Sequence, residues 1–474
     1  MTASNSISGA DKVPVSQKIA YGMGVVSDHY ATVCLSIFFI PFFTDFLSLS
    51  ATLVGATMAL ARVWDAFTDP FVGAWSDQCQ SKYGRRKPFI FVGVIATGLC
   101  FPLIWQASPD WSDTVSTVFL IGVLLLFYTC YSFFSVPYES LGAELTPDYK
   151  ERTNIFVVRT YVQQTFNLGI IWVFPLAAWL ATFSWVGGEV GGVRLVGYLI
   201  GFVIILAGIC PAIFCRERYR DIAKGQVRGR FLKELSELLK NRPLLIVIGV
   251  IATYLLAIIS TMQLAYFVNV YYIYEGKLQE GTTLGGIDGT LRFAFSILGA
   301  IGIKYLSERV DKHHLLMMCV GILVVAFIGM YFTHIPGRPY LTLTMKPLLA
   351  LGEVGFWVLV ISMRADVCDW DEFRTGRRRE GTISAAANWT IKLTISMAVL
   401  LGGVLLEHFV RFNTELEPGV LQEPGTMERL LICYTIPPII ALVICFIILM
   451  KYPLSRKKML EIRASLEEQR GAAA

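Results

Sequence analysis

Ala61-Arg-Val-Trp-Asp-Ala-Phe-Thr-Asp-Pro70 sets three charges inside a stretch, residues 50–77, that is otherwise apolar enough for lipid. Arg62, Asp65 and Asp69 are spaced i, i+3 and i+7, so a helix carries all three on one face. A charge near the middle of a bilayer costs about 2.5–3.5 kcal/mol on insertion scales and is kept only where it faces a partner or a wet cavity. The stretch therefore reads as a membrane helix with one chemically active face.

The rest of the chain agrees. Of its 474 residues 55% are hydrophobic and only 16% charged, with a mean hydropathy of +0.57. Soluble domains carry about 25% charged residues, so an ordinary soluble protein is excluded. Twelve apolar stretches of spanning length follow one another: 18–45, 50–77, 86–106, 115–143, 153–183, 193–215, 244–273, 284–309, 312–332, 340–368, 381–409 and 427–453. In lipid such lengths must be helices, because every backbone polar group has to be satisfied internally. The predicted class is an all-α polytopic membrane protein with twelve transmembrane helices in two pseudo-symmetric six-helix bundles. Its predicted parts are an N-terminal tail (1–17), a first bundle (18–215), a central loop with an amphipathic helix (216–243), a second bundle (244–453) and a C-terminal tail (454–474).

Charge sets the orientation. Lys82, Arg85, Arg86 and Lys87 follow the second span, and Arg374, Arg377, Arg378 and Arg379 follow the tenth. The central loop holds nine further basic residues between Arg216 and Arg242. The positive-inside rule then places both termini and the central loop in the cytoplasm. The net charge of +5 follows from that topology and gives no reason to invoke nucleic acid. Residues 1–17 lack the apolar core of a cleavable signal peptide, so the first span is expected to act as its own insertion signal. The ten cysteines are scattered singly with no CxxC or Cys/His ligand spacing, which points away from a disulfide framework or a zinc site.

Four other spans carry polar stripes at helical spacing. Asp28, Thr32 and Ser36 form one in the first span, with His29 next to it. Tyr131, Ser135 and Glu139 share a face in the fourth, where Pro137 interrupts the backbone. Arg159, Gln163 and Asn167 line the fifth, and Ser384, Asn388, Lys392 and Ser396 the eleventh. A sequon at Asn388 falls inside a span and reads as chance. No Gly-rich phosphate loop of the GxxxxGK[ST] type occurs, nor any catalytic arrangement, so neither ATP drive nor an enzyme is indicated.

Five pieces, in order, resemble a known family: Tyr21-Gly-Met-Gly24, Trp64-Asp-Ala-Phe-Thr-Asp-Pro70, Gly84-Arg-Arg-Lys-Pro88, Glu151-Arg-Thr153 and Ala365-Asp-Val-Cys-Asp-Trp370. Together the chain is similar to the glycoside–pentoside–hexuronide:cation symporters, the melibiose permease-like group of the major facilitator superfamily. The resemblance runs from the first span to the eleventh. It implies symport of a sugar, glycoside or uronide with Na+ or H+, in a bacterial inner membrane, without a cofactor.

It also implies roles. Asp65 and Asp69 match the carboxylates that bind the coupling cation, and hard oxygen ligands suit Na+; the same pair would hold a proton if burial and mutual repulsion raised one pKa. A permanent salt-bridge network with Arg62 is the competing reading. Lys392 matches the lysine near the cation site and is expected to tether the pair when the cation is absent. His29 falls at the sugar-binding aspartate by strict register, whereas the polar stripe favours Asp28. Ser135 stands where a second sugar-binding aspartate is expected and Glu139 where a tryptophan is. Arg159 matches the sugar-binding arginine, and Trp357 a cavity tryptophan that would stack on a sugar ring. Arg364, Asp366 and Asp369 are expected to form half of a cytoplasmic latch, with Asp77, Arg85 and Arg86 as the other half. Generic topology-setting charge is the alternative for the individual arginines.

The expected function is therefore cation-coupled uptake of a sugar-like solute by alternating access, in a protein that acts as a monomer. A lysophospholipid or other amphiphile carrier of the same fold is the nearer rival, and a non-transporting membrane sensor the more distant one.

Overall fold

The computed structural model describes residues 12–79, 81–146, 149–216, 241–307, 309–376 and 379–472. The amphipathic stretch expected at 231–240 lies outside the described residues, as do Arg377 and Arg378. Among the described residues the chain is helical, with a single isolated bridge between Ser81 and Gly84 and no strand.

Six helices precede the central connection. They are α1 (Val15–Phe46), α2 (Ala51–Gln78), α3 (Lys87–Ile104), α4 (Asp113–Glu144), α5 (Tyr149–Ile171, resuming at Val173–Leu180) and α6 (Gly188–Phe214). Six more follow: α7 (Arg242–Ile273), α8 (Leu278–Ser307), α9 (Lys312–Thr333), α10 (Lys346–Thr375), α11 (Glu380–Val404, extended by Leu405–Val410) and α12 (Pro424–Leu449). A terminal helix, α13 (Arg456–Ala472), packs on α10. The twelve-helix expectation is borne out. Ten of these helices are long and apolar enough to cross a membrane by composition alone. The two that fall short, α2 and α5, are those in which charged and amide side chains displace apolar ones.

Local chemistry sets the helix ends. Ser50 Oγ accepts from the backbone N–H of Leu53 at 3.2 Å and Asn241 Oδ1 from that of Leu244 at 3.0 Å, each satisfying an N–H that has no partner in the first turn. Gly376, at φ +66°, closes α10 in the left-handed conformation that glycine adopts without strain. The fifth span was expected to be one helix over 153–183; it breaks at Trp172 instead. Pro175 has no N–H for the carbonyl of Ile171 and its ring crowds that position. Within the C-terminal tail, Arg456–Ala472 is helical.

The chain divides into two compact units, Met1–Gln226 with Thr414–Pro418, and Val227–Asn413 with Gly419–Ala474. Within the first, α3 packs on α6 and α4, α2 on α4, and α1 on α6 and α5. Within the second, α9 packs on α12 and α10, α8 on α10, and α7 on α12 and α11. These are the same five pairings with every index raised by six, so each unit repeats one internal topology.

Small residues let the helices close. A Cβ added to Gly201 on α6 would lie 2.4 Å from the carbonyl oxygen of Gly98 on α3, so this crossing is a backbone-to-backbone contact. The core of the first unit is aromatic at one end, where fully buried Trp105 meets Phe38, Phe42, Phe43 and Phe101. Tyr271, near the end of α7, is buried against Phe267 and Phe412. Its hydroxyl accepts from the N–H of Gly419 at 3.1 Å, which removes it from the lipid boundary.

Candidate functional site

The charged face of α2 turns into the first unit. Asp65 is fully buried and Arg62 nearly so. Ser132 on α4 donates to Asp65 Oδ1 at 3.1 Å, and the Ser132 and Thr68 hydroxyls are 2.8 Å apart. The Arg62 guanidinium lies 4.9 Å from the ring centre of Tyr128, within electrostatic reach of both Asp65 and Asp28. Asp69, one turn beyond Asp65, is half-buried. The cluster thus offers two carboxylates one turn apart, hydroxyl oxygens beside one of them, and a buried cation near by. Those are hard oxygen donors of the kind a small monovalent cation takes.

The question left between Asp28 and His29 has a divided answer. Tyr131 on α4 donates to Asp28 Oδ1, which turns Asp28 toward α4 and Arg62. His29, one residue later and about 100° round the helix, faces α5. There its Nδ1–H donates to Asn167 Oδ1 at 3.2 Å, and its Nε2 accepts from Gln163 Nε2 at 2.9 Å. A π-helical stretch, Tyr30–Cys34, follows immediately, the kind of local widening often found beside functional residues.

Arg159 sits among the rings of Tyr138, Tyr21 and Phe156 at 5.6, 5.9 and 5.9 Å. The guanidinium thus lies among aromatic faces, within electrostatic reach of Asp28 and Glu139. Ser135 is buried on α4, and Glu139, one turn on, is exposed. The first unit therefore joins Arg62, Asp65, Asp28 and Tyr131 in one cluster and His29, Gln163 and Asn167 in a second.

In the second unit Trp357 on α10 meets Tyr254 edge-on at 5.9 Å, while Phe356 stacks on the same tyrosine. Lys392 is half-buried on α11, where its carbonyl accepts from Ser396 Oγ at 2.9 Å, and Asn388 is exposed one turn earlier. At the end of α10, Asp366 accepts from Lys312 Nζ at 2.6 Å and from Arg463 Nη2 at 2.9 Å. Arg463 Nε also donates to Asp369 at 3.1 Å. Arg364 is half-buried on the same stretch. In the first unit Arg86 pairs with Asp77 at 3.0 Å, and Arg85 beside it is half-buried.

Among the ion pairs of the second unit that the sequence reading missed, two join α8 to α10. Arg292 on α8 donates to both carboxylate oxygens of Glu353 on α10, and Lys346 pairs with Asp288 at 2.9 Å. The signal was available: Asp288 and Arg292 lie i, i+4 in the eighth span, as Glu353 and Trp357 do in the tenth. The part played by Arg463 was not readable, since nothing in its neighbourhood of sequence points to Asp366.

Comparisons with known proteins accord with this architecture. Over 467 residues the chain is 26% identical to an uncharacterized symporter of Bacillus subtilis (strain 168), YnaJ, covering 97% of this chain and 96% of that protein. It is 21% identical to the glucuronide carrier protein homolog of Escherichia coli (strain K12), covering 95% of each. Its fold is similar to that of a solved D-xylose-proton symporter, with a TM-score of 0.62, 14% identity, and coverage of 94% of this chain and 96% of that one. The family model described as MFS/sugar transport protein matches residues 20–456. As the resemblance to the glycoside–pentoside–hexuronide:cation symporters implied, the chain is a multi-pass membrane protein that belongs to the MFS/sugar transport family of the major facilitator superfamily.

Proposed function

We propose that the protein imports a sugar-like solute together with a monovalent cation, Na+ or H+, by alternating access, as a monomer in a bacterial inner membrane with both termini cytoplasmic. The observation that carries this reading is the buried cluster of α2 and α4. There Asp65 and Asp69 lie one turn apart, with Ser132 and Thr68 supplying hydroxyls and Arg62 near by. Asp65 and Asp69 bind the cation, and Lys392 takes part in the coupling. Asp28, His29, Arg159 and Gln163 hold solute hydroxyls, with Ser135 and Glu139 at the edges of that cluster; Trp357 and Asn388 of the second unit also bind solute, Trp357 by stacking on a ring. The arginine forks two hydrogen bonds to neighbouring oxygens, a geometry lysine does not offer. Asp77, Arg85 and Arg86, and Arg364, Asp366 and Asp369, exchange ion-pair partners as the carrier changes state.

Because Arg62, Tyr131 and Ser132 connect the cation carboxylates to Asp28, filling one site alters the other. Linkage makes the effect mutual: the cation tightens solute binding by the factor by which the solute tightens the cation. The relatives fit a sugar-class cargo, one of them being a glucuronide carrier homolog.

The test is uptake into proteoliposomes containing the purified full-length protein. The panel comprises neutral and acidic sugars with imposed Na+ or proton gradients. Wild type accumulates at least one sugar under one of the gradients, whereas Asp65→Asn and Asp69→Asn lose accumulation and retain weak solute exchange. Undiminished accumulation in either variant overturns the assignment of the cation site.

A further inference from the structure

A groove of about 540 Å³ runs along α9 in the second unit, bounded by Leu348 of α10 and Phe446 of α12. Its α9 wall includes His314, Met318, Gly321 and Val325, spaced i, i+4, i+7 and i+11 along one helical face. Met318 and Val325 are 45% and 58% exposed, so the groove is open along its side. Gly321 makes its notch: an added Cβ there would meet no neighbouring helix or side chain within 4 Å.

That glycine has no packing reason inside the protein. On α10, a Cβ added to Gly352 or Gly355 would come within 2.5 Å of Leu323 or Cys319, so those glycines let α10 approach α9. Gly321 serves no such approach, and glycine is among the least favourable residues for a helix interior. The space it leaves is available to a molecule outside the chain. From His314 to Val325 the groove is about 16 Å long at the helical rise. A hydrocarbon core is about 30 Å thick, so this is the depth of one leaflet.

One end of the groove is basic. The side chain of His314 is 62% exposed there. The ring of His313 lies 6.1 Å from that of Tyr452, which brings exposed Lys451 to the same end. The N–H of Arg456 donates to Asp311 Oδ1 at 3.3 Å and fastens the start of α13 beside them. Residues 451–458 carry four basic side chains and no acidic one. Two acids stand near: Asp311 receives that N–H, and Asp366 is held between Lys312 and Arg463. An apolar channel one leaflet deep, with cations at its mouth, complements a molecule that joins a long alkyl chain to an anionic head.

We propose that the α9 groove binds an anionic phospholipid of the adjoining leaflet, one acyl chain lying along Met318, Gly321 and Val325 and the phosphate meeting His314 and Lys451. The site is independent of the sugar and of the coupling cation. The bound lipid joins α9, α12 and α13 at one corner of the second unit.

The test is native mass spectrometry of the purified full-length protein in detergent. The protein is titrated with phosphatidylglycerol or with phosphatidylcholine of the same acyl chains. Wild type retains one phosphatidylglycerol and holds it more tightly than phosphatidylcholine. Lys451→Gln weakens phosphatidylglycerol about fivefold and phosphatidylcholine by less than about twofold, as expected for one charge beside an anionic head. Gly321→Leu fills the notch and loses retention of both lipids, while its melting midpoint in lipid-free detergent does not fall. If Gly321→Leu does not purify as a monodisperse protein, wild type in nanodiscs is labelled with either lipid carrying a diazirine in the acyl chain. Stronger labelling of residues 314–325 by the phosphatidylglycerol probe is then expected. Equal affinity of wild type for the two lipids, unaltered retention in Gly321→Leu, or equal labelling by the two probes overturns the proposal. A protein dimer that Gly321→Leu abolishes also overturns it, because a second copy of the chain would then occupy the groove.

Discussion

At the scale of single residues, the protein assigns work by placing polar atoms where lipid leaves them no alternative. Asp28 and His29 are neighbours in sequence, yet one bonds to Tyr131 and the other to Gln163 and Asn167. Removing the phenol from Asp28 leaves a charged acceptor one donor short, a loss of about 1.5–3 kcal/mol for a hydrogen bond to a charged group. Tyr131→Phe should therefore weaken solute binding by roughly tenfold or more, measured by titration of the purified protein. An unchanged affinity would remove Asp28 from the binding machinery. His334 offers a separate residue-scale prediction. Burial, reinforced by Lys346, pushes its imidazole down to about 3. A histidine held neutral in the folded state binds fewer protons there than in the unfolded chain. Its penalty is absent above pH 6.5 and grows as pH falls from that value toward 3. The midpoint of thermal unfolding in detergent should fall over this window, and less steeply in His334→Gln; parallel curves would contradict it.

At the scale of elements, the helices hold together through close approach more than through shape in any one side chain. The α3–α6 crossing depends on Gly98 and Gly201 meeting backbone to backbone. Gly201→Val would drive a branched side chain into that carbonyl, and overpacking of this kind costs about 1–3 kcal/mol. A lowered melting midpoint with retained exchange of solute is expected, since the crossing joins α3 and α6 whereas Asp65 bonds between α2 and α4. Helix α13 is fastened to α10 by Arg463 through Asp366 and Asp369. Arg463 is half exposed, so the pair adds about 0–1 kcal/mol. Arg463→Ala should accordingly leave global stability nearly unchanged while exposing α13 to limited proteolysis. Unaltered cleavage would show that apolar packing alone retains the helix. The break in α5 has a cause visible in sequence, Pro175, although hydropathy by itself drew the span as continuous.

At the scale of the whole molecule, five helix pairings in one unit recur in the other with the index shifted by six. The basic connections predict an orientation that labelling can test. A cysteine placed at Asp110, in a chain whose native cysteines have been replaced, should react with an impermeant reagent from outside the cell; one placed at Lys82 should not. The opposite pattern would invert the topology. The family was legible through the five short motifs that recur in order. The span count and the class were legible in the sequence because lipid imposes them locally: spans need length and apolar composition, and every charge inside one needs a reason. The face of Arg62, Asp65 and Asp69 was legible for the same cause. Which helix each polar residue addresses was not, because that depends on neighbours distant in the chain. The fold alone decided that Asp28 turns to Tyr131, that His29 turns to α5, and that Arg292 finds Glu353 across 61 residues. A spacing of i, i+4 tells which residues share a face. The direction of that face is set by the packing of the other helices around it.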